Sequence, residues 1–221
     1  MPLLESILDL LLPSNCAECS RPPSVYCRDC LARHSVRRVE RPLLFSQSGI
    51  ALSVLDDSVS KAMSAFKEQN QFAIARSMVE ALLPTNPFGP IDSVVAAPSA
   101  AKNFKKRGFV PAEIIAERVA RRWGLARARF ALTFQRGVAD QSSLTVDQRQ
   151  SNLSGSMAAS PRLRGRRVLL IDDIVTTGST LREASRAVVE VGGEVAGFVV
   201  LAETLRRSPP SSHPALSQVE P

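Results

Sequence analysis

The sequence has 221 residues, of which 22% are charged and 44% hydrophobic, and its formal net charge is +7. This is the composition of an ordinary globular protein, long enough for one sizeable core and a small accessory module, and no apolar run approaches the length needed to cross a membrane. The positive charge indicates an anionic partner without identifying it.

The first thirteen residues are apolar but are interrupted by Glu5 and Asp9. They lack the positively charged start that is typical of a signal peptide. Their leucine and isoleucine residues fall on one helical stripe, which predicts a short amphipathic helix. We therefore expect a cytoplasmic protein with no membrane span.

All four cysteines lie in one window as two C-x-x-C pairs that seven residues separate: Cys16, Cys19, Cys27 and Cys30. Two such pairs supply the four thiolates of a tetrahedral structural zinc site. A disulfide pair is disfavoured in a cytosolic chain, and a thioredoxin-like redox motif needs a βαβ context that is missing here. We expect one structural Zn²⁺ without catalysis, and a nearby His34 that is solvated.

The next part of the chain predicts a strand hairpin and two helices. Leu43–Phe45 and Ile50–Leu55 are expected to be strands around a turn at Gln47–Gly49. Helices are expected from Ser58 to Gln69 and from Gln71 to Leu83. Three prolines between residues 84 and 90 indicate the main domain boundary.

After this boundary, strands and helices alternate. A strand at Ile91–Pro98 leads into a basic loop at Ser99–Gly108, and a helix at Val110–Trp123 follows. Strands are expected at Arg129–Phe134 and, near the end of the chain, at Glu194–Leu201. This order predicts an α/β fold with an open parallel sheet flanked by helices.

The stretch Val168–Thr180 reads VLLIDDIVTTGST. Its four leading apolar residues predict a strand buried on both faces, and helical spacing of apolar residues after Thr180 predicts a helix. The acid pair Asp172 and Asp173 lies between them. A loop of hydroxyl residues and one glycine follows the pair: Thr176, Thr177, Gly178, Ser179 and Thr180.

This order has a chemical reason. A helix N-terminus favours a phosphate, and a glycine lets the backbone approach that phosphate closely. Carboxylates at the end of a strand can accept hydrogen bonds from the two hydroxyls of a ribose. The stretch matches neither the Walker P-loop nor the G-x-G-x-x-G fingerprint. A simpler interpretation is an acidic turn with Thr177 capping the helix, but the complete order favours a ribose 5-phosphate site.

The stretch also resembles the signature of type I phosphoribosyltransferases, which bind phosphoribosyl diphosphate (PRPP). With three further blocks, the chain is similar over about residues 14–203 to the ComF family of competence proteins. These blocks are the cysteine pairs, the run Lys105–Phe109, and a pattern of Arg136, Asp140, Gln141, Leu144, Arg149 and Asn152. The resemblance implies a type I phosphoribosyltransferase-like sheet with a small N-terminal four-cysteine zinc module.

The chain departs from the family pattern where diphosphate and acceptor would be handled. Val95–Ala100 stands in place of V-P-V-P-L-H, and Arg107–Pro111 in place of R-G-F-N-Q. Phe66–Glu68 lacks the aromatic residue of the family's Lys-Tyr. These changes weigh against turnover more than against binding of a ribose phosphate.

The resemblance assigns roles to the charged residues. The diphosphate and its Mg²⁺ need cations, which Lys102, Lys105, Lys106 and Arg107 would supply, and the ligand's own oxygens would hold most of the metal. The long polar stretch Gln135–Gly165, with a helix-forming patch at Val146–Asn152, would close over the site. The candidate catalytic residues are Asp172, Asp173 and Arg136, and no general base or base-stacking aromatic cluster is evident.

We expect four parts: residues 1–40 with the zinc module, a connecting region 41–90, a phosphoribosyltransferase-like domain 91–205, and a disordered tail 206–221 rich in Pro and Ser. The resemblance implies a protein of DNA uptake that binds PRPP or a related phosphosugar and handles single-stranded DNA with a competence helicase. An active phosphoribosyltransferase for a nucleobase or amide acceptor is the alternative, so whether the protein is an enzyme stays open. A zinc-containing interaction module with a vestigial sugar-phosphate site is a third interpretation.

Overall fold

The computed structural model describes residues 15–40, 48–135 and 153–205. Five of its strands form one sheet in the order β1-β2-β7-β6-β3, in which only β1 is antiparallel to its neighbour. The expected open parallel sheet is therefore confirmed. The sheet strands are β1 (Arg37–Glu40), β2 (Ser48–Val54), β3 (Ser93–Ala96), β6 (Arg167–Val175) and β7 (Glu194–Glu203).

The main helices flank this sheet, and their ends carry recognisable signals. The carboxylate of Asp56 accepts a hydrogen bond from the Val59 N–H at 2.8 Å and caps the first long helix. Pro111 opens another, which ends at Gly124 in the left-handed conformation. The six α-helices of the described residues are α1 (Arg28–Ala32), α2 (Asp57–Glu68), α3 (Ala73–Leu82), α4 (Ala101–Arg107), α5 (Pro111–Trp123) and α6 (Ser179–Glu190).

Strand β6, the fourth of the five in the sheet, is buried on both faces because its residues alternate between two apolar clusters. Leu169 and Ile171 pack into the cluster that contains α2, α3 and α5. Val168 and Leu170 pack into the cluster on the opposite face, which contains α6. The period of two along a strand explains why an unbroken apolar run was needed here.

The expected strand at Arg129–Phe134 forms only in part, and it does not pair with a strand of the main sheet. Only Leu132–Phe134 forms a strand, β4, and it pairs antiparallel with β5 (Met157–Ala159) in a separate two-stranded sheet. The place beside β3 is taken by the chain before it, because Val94 exchanges backbone hydrogen bonds with Ala126 and Ala128 at 2.9 and 3.0 Å.

The expected turn at Gln47–Gly49 is also wrong, because Ser48 and Gly49 belong to β2, whose antiparallel partner is β1. A side chain at Gly49 would stand 2.2 Å from the ring of Phe198. Gly49 therefore serves close packing in the sheet rather than a turn. The expected partner strand Leu43–Phe45 lies outside the described residues.

The basic segment Ser99–Gly108 is mostly a helix, not the expected loop. Its residues 101–107 contain no Gly or Pro and form α4, which ends at Gly108 with φ of 77°. Its cations therefore lie on one short helix.

The division of the chain at residues 40, 90 and 205 stays a prediction. The sheet itself crosses the first two of these positions, because β2 pairs with β7 and β1 pairs with β2. The expected N-terminal helix, the patch Val146–Asn152 and the tail 206–221 lie outside the described residues.

Candidate functional site

The carboxyl ends of β3 and β6 bring the two halves of the predicted ligand site together. Ala96 is in register with Ile171, and the Ala97 N–H donates to the Ile171 carbonyl at 2.8 Å. The chain that leaves β3 towards α4 therefore passes beside the acid pair at the end of β6. Open parallel sheets bind their ligands at this edge.

The acid pair lies within β6, near its carboxyl end, rather than in a turn, since the strand continues to Val175. Both carboxyl groups are half-buried. The Asp173 N–H donates to Asp172 Oδ1 at 2.9 Å, and Lys67 Nζ contacts Asp173 Oδ2 at 2.7 Å. Lys67 reaches the pair from the end of α2.

The two carboxyl groups sit in different electrostatic surroundings. Burial, together with the charge of Asp173, raises the pKa of Asp172 from its ordinary value of 3.8 to about 8. At neutral pH this carboxyl therefore keeps its proton and can donate a hydrogen bond, whereas Asp173 faces the ammonium group of Lys67. A carboxyl held neutral at the edge of a parallel sheet is typical of a functional site.

The loop after β6 opens α6 with groups suited to an anion. Gly178 is the N-cap residue and has φ of 82°, a conformation that favours glycine. The hydroxyl groups of Thr177 and Ser179 lie 2.8 Å apart, and the Ser179 N–H donates to Thr177 Oγ1 at 3.3 Å. Thr176 is exposed and Thr180 half-buried at the two ends of the loop. The twelve-residue helix behind this loop supplies the positive end of its dipole.

The basic helix α4 contacts the end of α2 through Glu68, a residue that the sequence analysis did not assign to the site. Arg107 donates to Glu68 Oε1 from Nε at 3.1 Å and from Nη2 at 2.9 Å. Lys106 Nζ lies 2.5 Å from Glu68 Oε2. Lys102 and Lys105 have no ion-pair partner within the described part of the chain.

A cavity of about 310 Å³ opens beside the end of β3. Apolar residues from β3, α4 and β4 and from the segments next to them line most of it, together with Glu113 of α5, and no residue of the stretch Val168–Thr180 does. Its wall includes three aromatic residues, Phe104 from α4 and the closely spaced Phe130 and Phe134 at β4. The fold thereby gathers an aromatic lining that was not evident from the sequence.

The four cysteines converge on one point. Their sulfur atoms all lie within 4.8 Å of one another, and the pairs Cys16–Cys30 and Cys19–Cys27 are each 3.7 Å apart. All four thiols are free of disulfides. A metal at about 2.3 Å from each of four sulfurs in a tetrahedron requires sulfur–sulfur distances of about 3.8 Å. The cluster therefore fits a tetrahedral metal ion.

Buried polar residues surround this cluster. Glu18 accepts hydrogen bonds from Arg33 at 2.7 Å, and His34 Nε2 lies 3.1 Å from Glu18 and 2.6 Å from the Tyr26 hydroxyl. The expectation of a solvated His34 is wrong, because its side chain is only 6% exposed. Arg33 also donates to Cys30 Sγ at 3.1 Å, which would offset the negative charge of a four-thiolate site.

The remaining candidate residue Arg136 and its companion Arg149 lie outside the described residues, so their roles stay predictions. No helix among residues 15–40, 48–135 and 153–205 is both long and apolar enough for a membrane span.

Comparisons with known proteins agree with the fold class. The model of the phosphoribosyl transferase domain matches residues 104–220, which is just over half of the chain. The DNA utilization protein YhgH of Salmonella typhi is 27% identical over 198 residues, covering 87% of this chain and 85% of that protein. Competence protein F of Haemophilus influenzae is 27% identical over 148 residues, covering 62% and 65%.

The chain belongs to the ComF family of type I phosphoribosyltransferase-fold proteins. The match to the domain model begins at Phe104 and so leaves out the cysteine cluster. The similarity to the Salmonella protein extends over most of both chains. Family membership therefore rests on more than the signature of the superfamily.

Proposed function

We propose that the protein binds PRPP, or a related ribose 5-phosphate ligand, at the junction of β6 and α6. The observation that carries this proposal is the acid pair near the carboxyl end of β6, shortly before the glycine-containing N-terminus of α6. The raised pKa of Asp172 supports it, since strongly shifted carboxyl groups cluster at functional sites.

The ligand's parts correspond to different segments of this edge. Asp172 and Asp173 bond the ribose hydroxyls, and the loop Thr176–Thr180 holds the 5′-phosphate. The cations of α4 attract the diphosphate with its Mg²⁺, which is held mainly by the ligand's own oxygens; these cations are Lys102, Lys105, Lys106 and Arg107. Arg136 remains the proposed catalytic cation from the segment after β4.

The biological role that fits this site is the handling of DNA during uptake. Two relatives, which are named as a DNA utilization protein and a competence protein, support this role. Single-stranded DNA and a competence helicase would be the partners, and the net charge of +7 is compatible with a nucleic acid. Binding of single strands that weakens steeply with salt concentration would support this role, and its absence would count against direct DNA contact.

Transfer of ribose 5-phosphate to a nucleobase or amide acceptor is the second candidate function. The observation in its favour is the cavity with three aromatic residues beside β3. A pocket lined by apolar and aromatic side chains can accept a planar nucleobase. Release of diphosphate from PRPP with a panel of bases tests it. Binding of PRPP without release in any mixture would leave the binding function and exclude turnover with those acceptors.

For the cysteine cluster we propose Zn²⁺ as the metal. Four thiolates in two C-x-x-C pairs, buried or half-buried and without an open position, are the donor set of a structural zinc site. The metal's part is to hold the N-terminal module together and not to take part in ligand chemistry.

Calorimetric titration with PRPP and Mg²⁺ tests the ligand site. We expect the double variant Asp172→Asn/Asp173→Asn to bind at least tenfold more weakly, about 1.4 kcal/mol, because both hydroxyl acceptors are altered. Asp57→Asn, at an exposed position of α2, controls for the loss of a carboxylate elsewhere. Equal affinity of the double variant and the wild type would show that the acid pair does not hold the ribose.

A further inference from the structure

The end of α2 carries two adjacent residues of opposite charge that pair with opposite halves of the proposed site. Lys67 contacts the carboxylate of Asp173 at 2.7 Å. Glu68 contacts Lys106 at 2.5 Å and Arg107 at 2.9 Å. One short stretch of chain thus places a counter-charge beside each half.

Aromatic packing fixes this stretch beside α4. Phe66, which is fully buried, lies 6.1 Å from Phe109, measured between ring centroids. Phe72 approaches the same ring at 4.8 Å in an edge-to-face arrangement. Because Phe109 follows directly on Gly108 at the end of α4, the packing holds Glu68 within reach of the last cations of that helix.

Glu68 engages these cations with both of its oxygens. Lys106 contacts Oε2, whereas Nε and Nη2 of Arg107 both donate to Oε1. The hydrogen bonds from Lys106 and Arg107 also lower the pKa of Glu68, so the group is an anion at neutral pH. A carboxylate in this position occupies the hydrogen-bond donors that a phosphate oxygen would use.

We propose that Glu68 is an internal anion that occupies the diphosphate-binding cations, and that a diphosphate group binds by displacing it from Lys106 and Arg107. This inference rests on the proposed function of the site. Displacement is feasible because the pair is partly exposed, with 33% of the Glu68 side chain accessible, and exposed ion pairs contribute little to stability. A diphosphate carries more charge than one carboxylate and so competes well for the same donors.

The consequence is that Glu68 lowers the affinity for the diphosphate part of the ligand and leaves the ribose 5-phosphate part unaffected. In calorimetry with inorganic diphosphate and Mg²⁺, we expect Glu68→Gln to bind about fivefold more tightly than the wild type, which is about 1 kcal/mol. Ribose 5-phosphate, whose contacts lie on β6 and α6, should bind both proteins equally. The gain with diphosphate should shrink in high salt.

The matched control is Glu80→Gln. Glu80 is also an exposed helical glutamate, paired with Arg76 on α3 at 2.9 Å, so its removal changes the net charge by the same amount. We expect this variant to bind diphosphate as the wild type does. An equal gain in both variants would show a general charge effect and would overturn the inference.

The outcomes separate this inference from the proposed function. If the wild type binds neither PRPP nor ribose 5-phosphate, the proposed function fails and the inference with it. If the wild type binds PRPP but Glu68→Gln binds diphosphate no more tightly than it does, only the inference is overturned. Unfolding midpoints of both glutamine variants, which should lie close to that of the wild type, verify that the folds are comparable.

Discussion

The raised pKa of Asp172 predicts that this carboxyl makes the protein less stable as the pH rises. The folded state keeps the proton up to about pH 8, whereas the unfolded chain loses it near 3.8. Between these values the folded protein binds the extra proton, so the free energy of unfolding falls with increasing pH. Asp172→Asn removes this penalty and keeps an oxygen that can accept the Asp173 N–H.

The magnitude follows from the two pKa values. Each pH unit between 3.8 and about 8 contributes at most about 1.4 kcal/mol to the difference in stability. Solvent reaches the half-buried carboxyl and Lys67 lies close by, so we expect a total gain of about 2–4 kcal/mol for the variant at pH 8. At pH 4 the gain should be close to zero.

Urea unfolding of the wild type and Asp172→Asn at pH 4, 5, 6, 7 and 8, without ligand, measures this difference. Asp57→Asn serves as the control, because it removes an exposed carboxylate at the start of α2. A variant that is no more stable than the wild type at pH 8 would refute the reasoning. So would a gain of the same size at every pH, since that would not come from titration of Asp172.

Three further outcomes are expected. Gly178→Val should abolish binding of ribose 5-phosphate, because the φ of 82° and the close approach of the backbone to the phosphate both need glycine. The control Gly192→Val, just after the other end of α6 and with the same φ, should retain binding. Metal analysis should find one Zn²⁺ per chain, and Cys30→Ser or a chelator should increase hydrogen exchange over about residues 14–33 while β6 stays protected; a metal-free cluster in reduced protein would contradict this. Glu183→Gln should lower the free energy of unfolding by about 2–4 kcal/mol, because this buried carboxylate accepts the Met157 N–H at 2.9 Å and pairs with an arginine, and exposed Glu190→Gln should change it by less than about 1 kcal/mol.

The predicted fold was wrong where contacts with residues distant in sequence decide the local structure. The residues before and within β4 were expected to extend the main sheet. The place beside β3 is instead taken by Ala126 and Ala128, whose backbone groups form hydrogen bonds with Val94. Gly49 resembled a turn residue in sequence, yet the ring of Phe198 on a strand far along the chain needs the space that its missing side chain leaves. Neither the hydrogen-bond partner nor the facing ring can be inferred from local composition.

The sequence by itself determined the features whose parts are contiguous or closely spaced. The stretch Val168–Thr180 specifies its strand, acid pair, loop and helix within thirteen residues, and the two C-x-x-C pairs lie close enough to converge. Only the tertiary structure decided which distant residues meet them. Lys67 pairs with Asp173, and Glu68 forms ion pairs with two cations of α4. Three phenylalanines line one cavity. These contacts depend on how helices pack on the sheet, which is set by burial over the whole core and not by spacing along the chain.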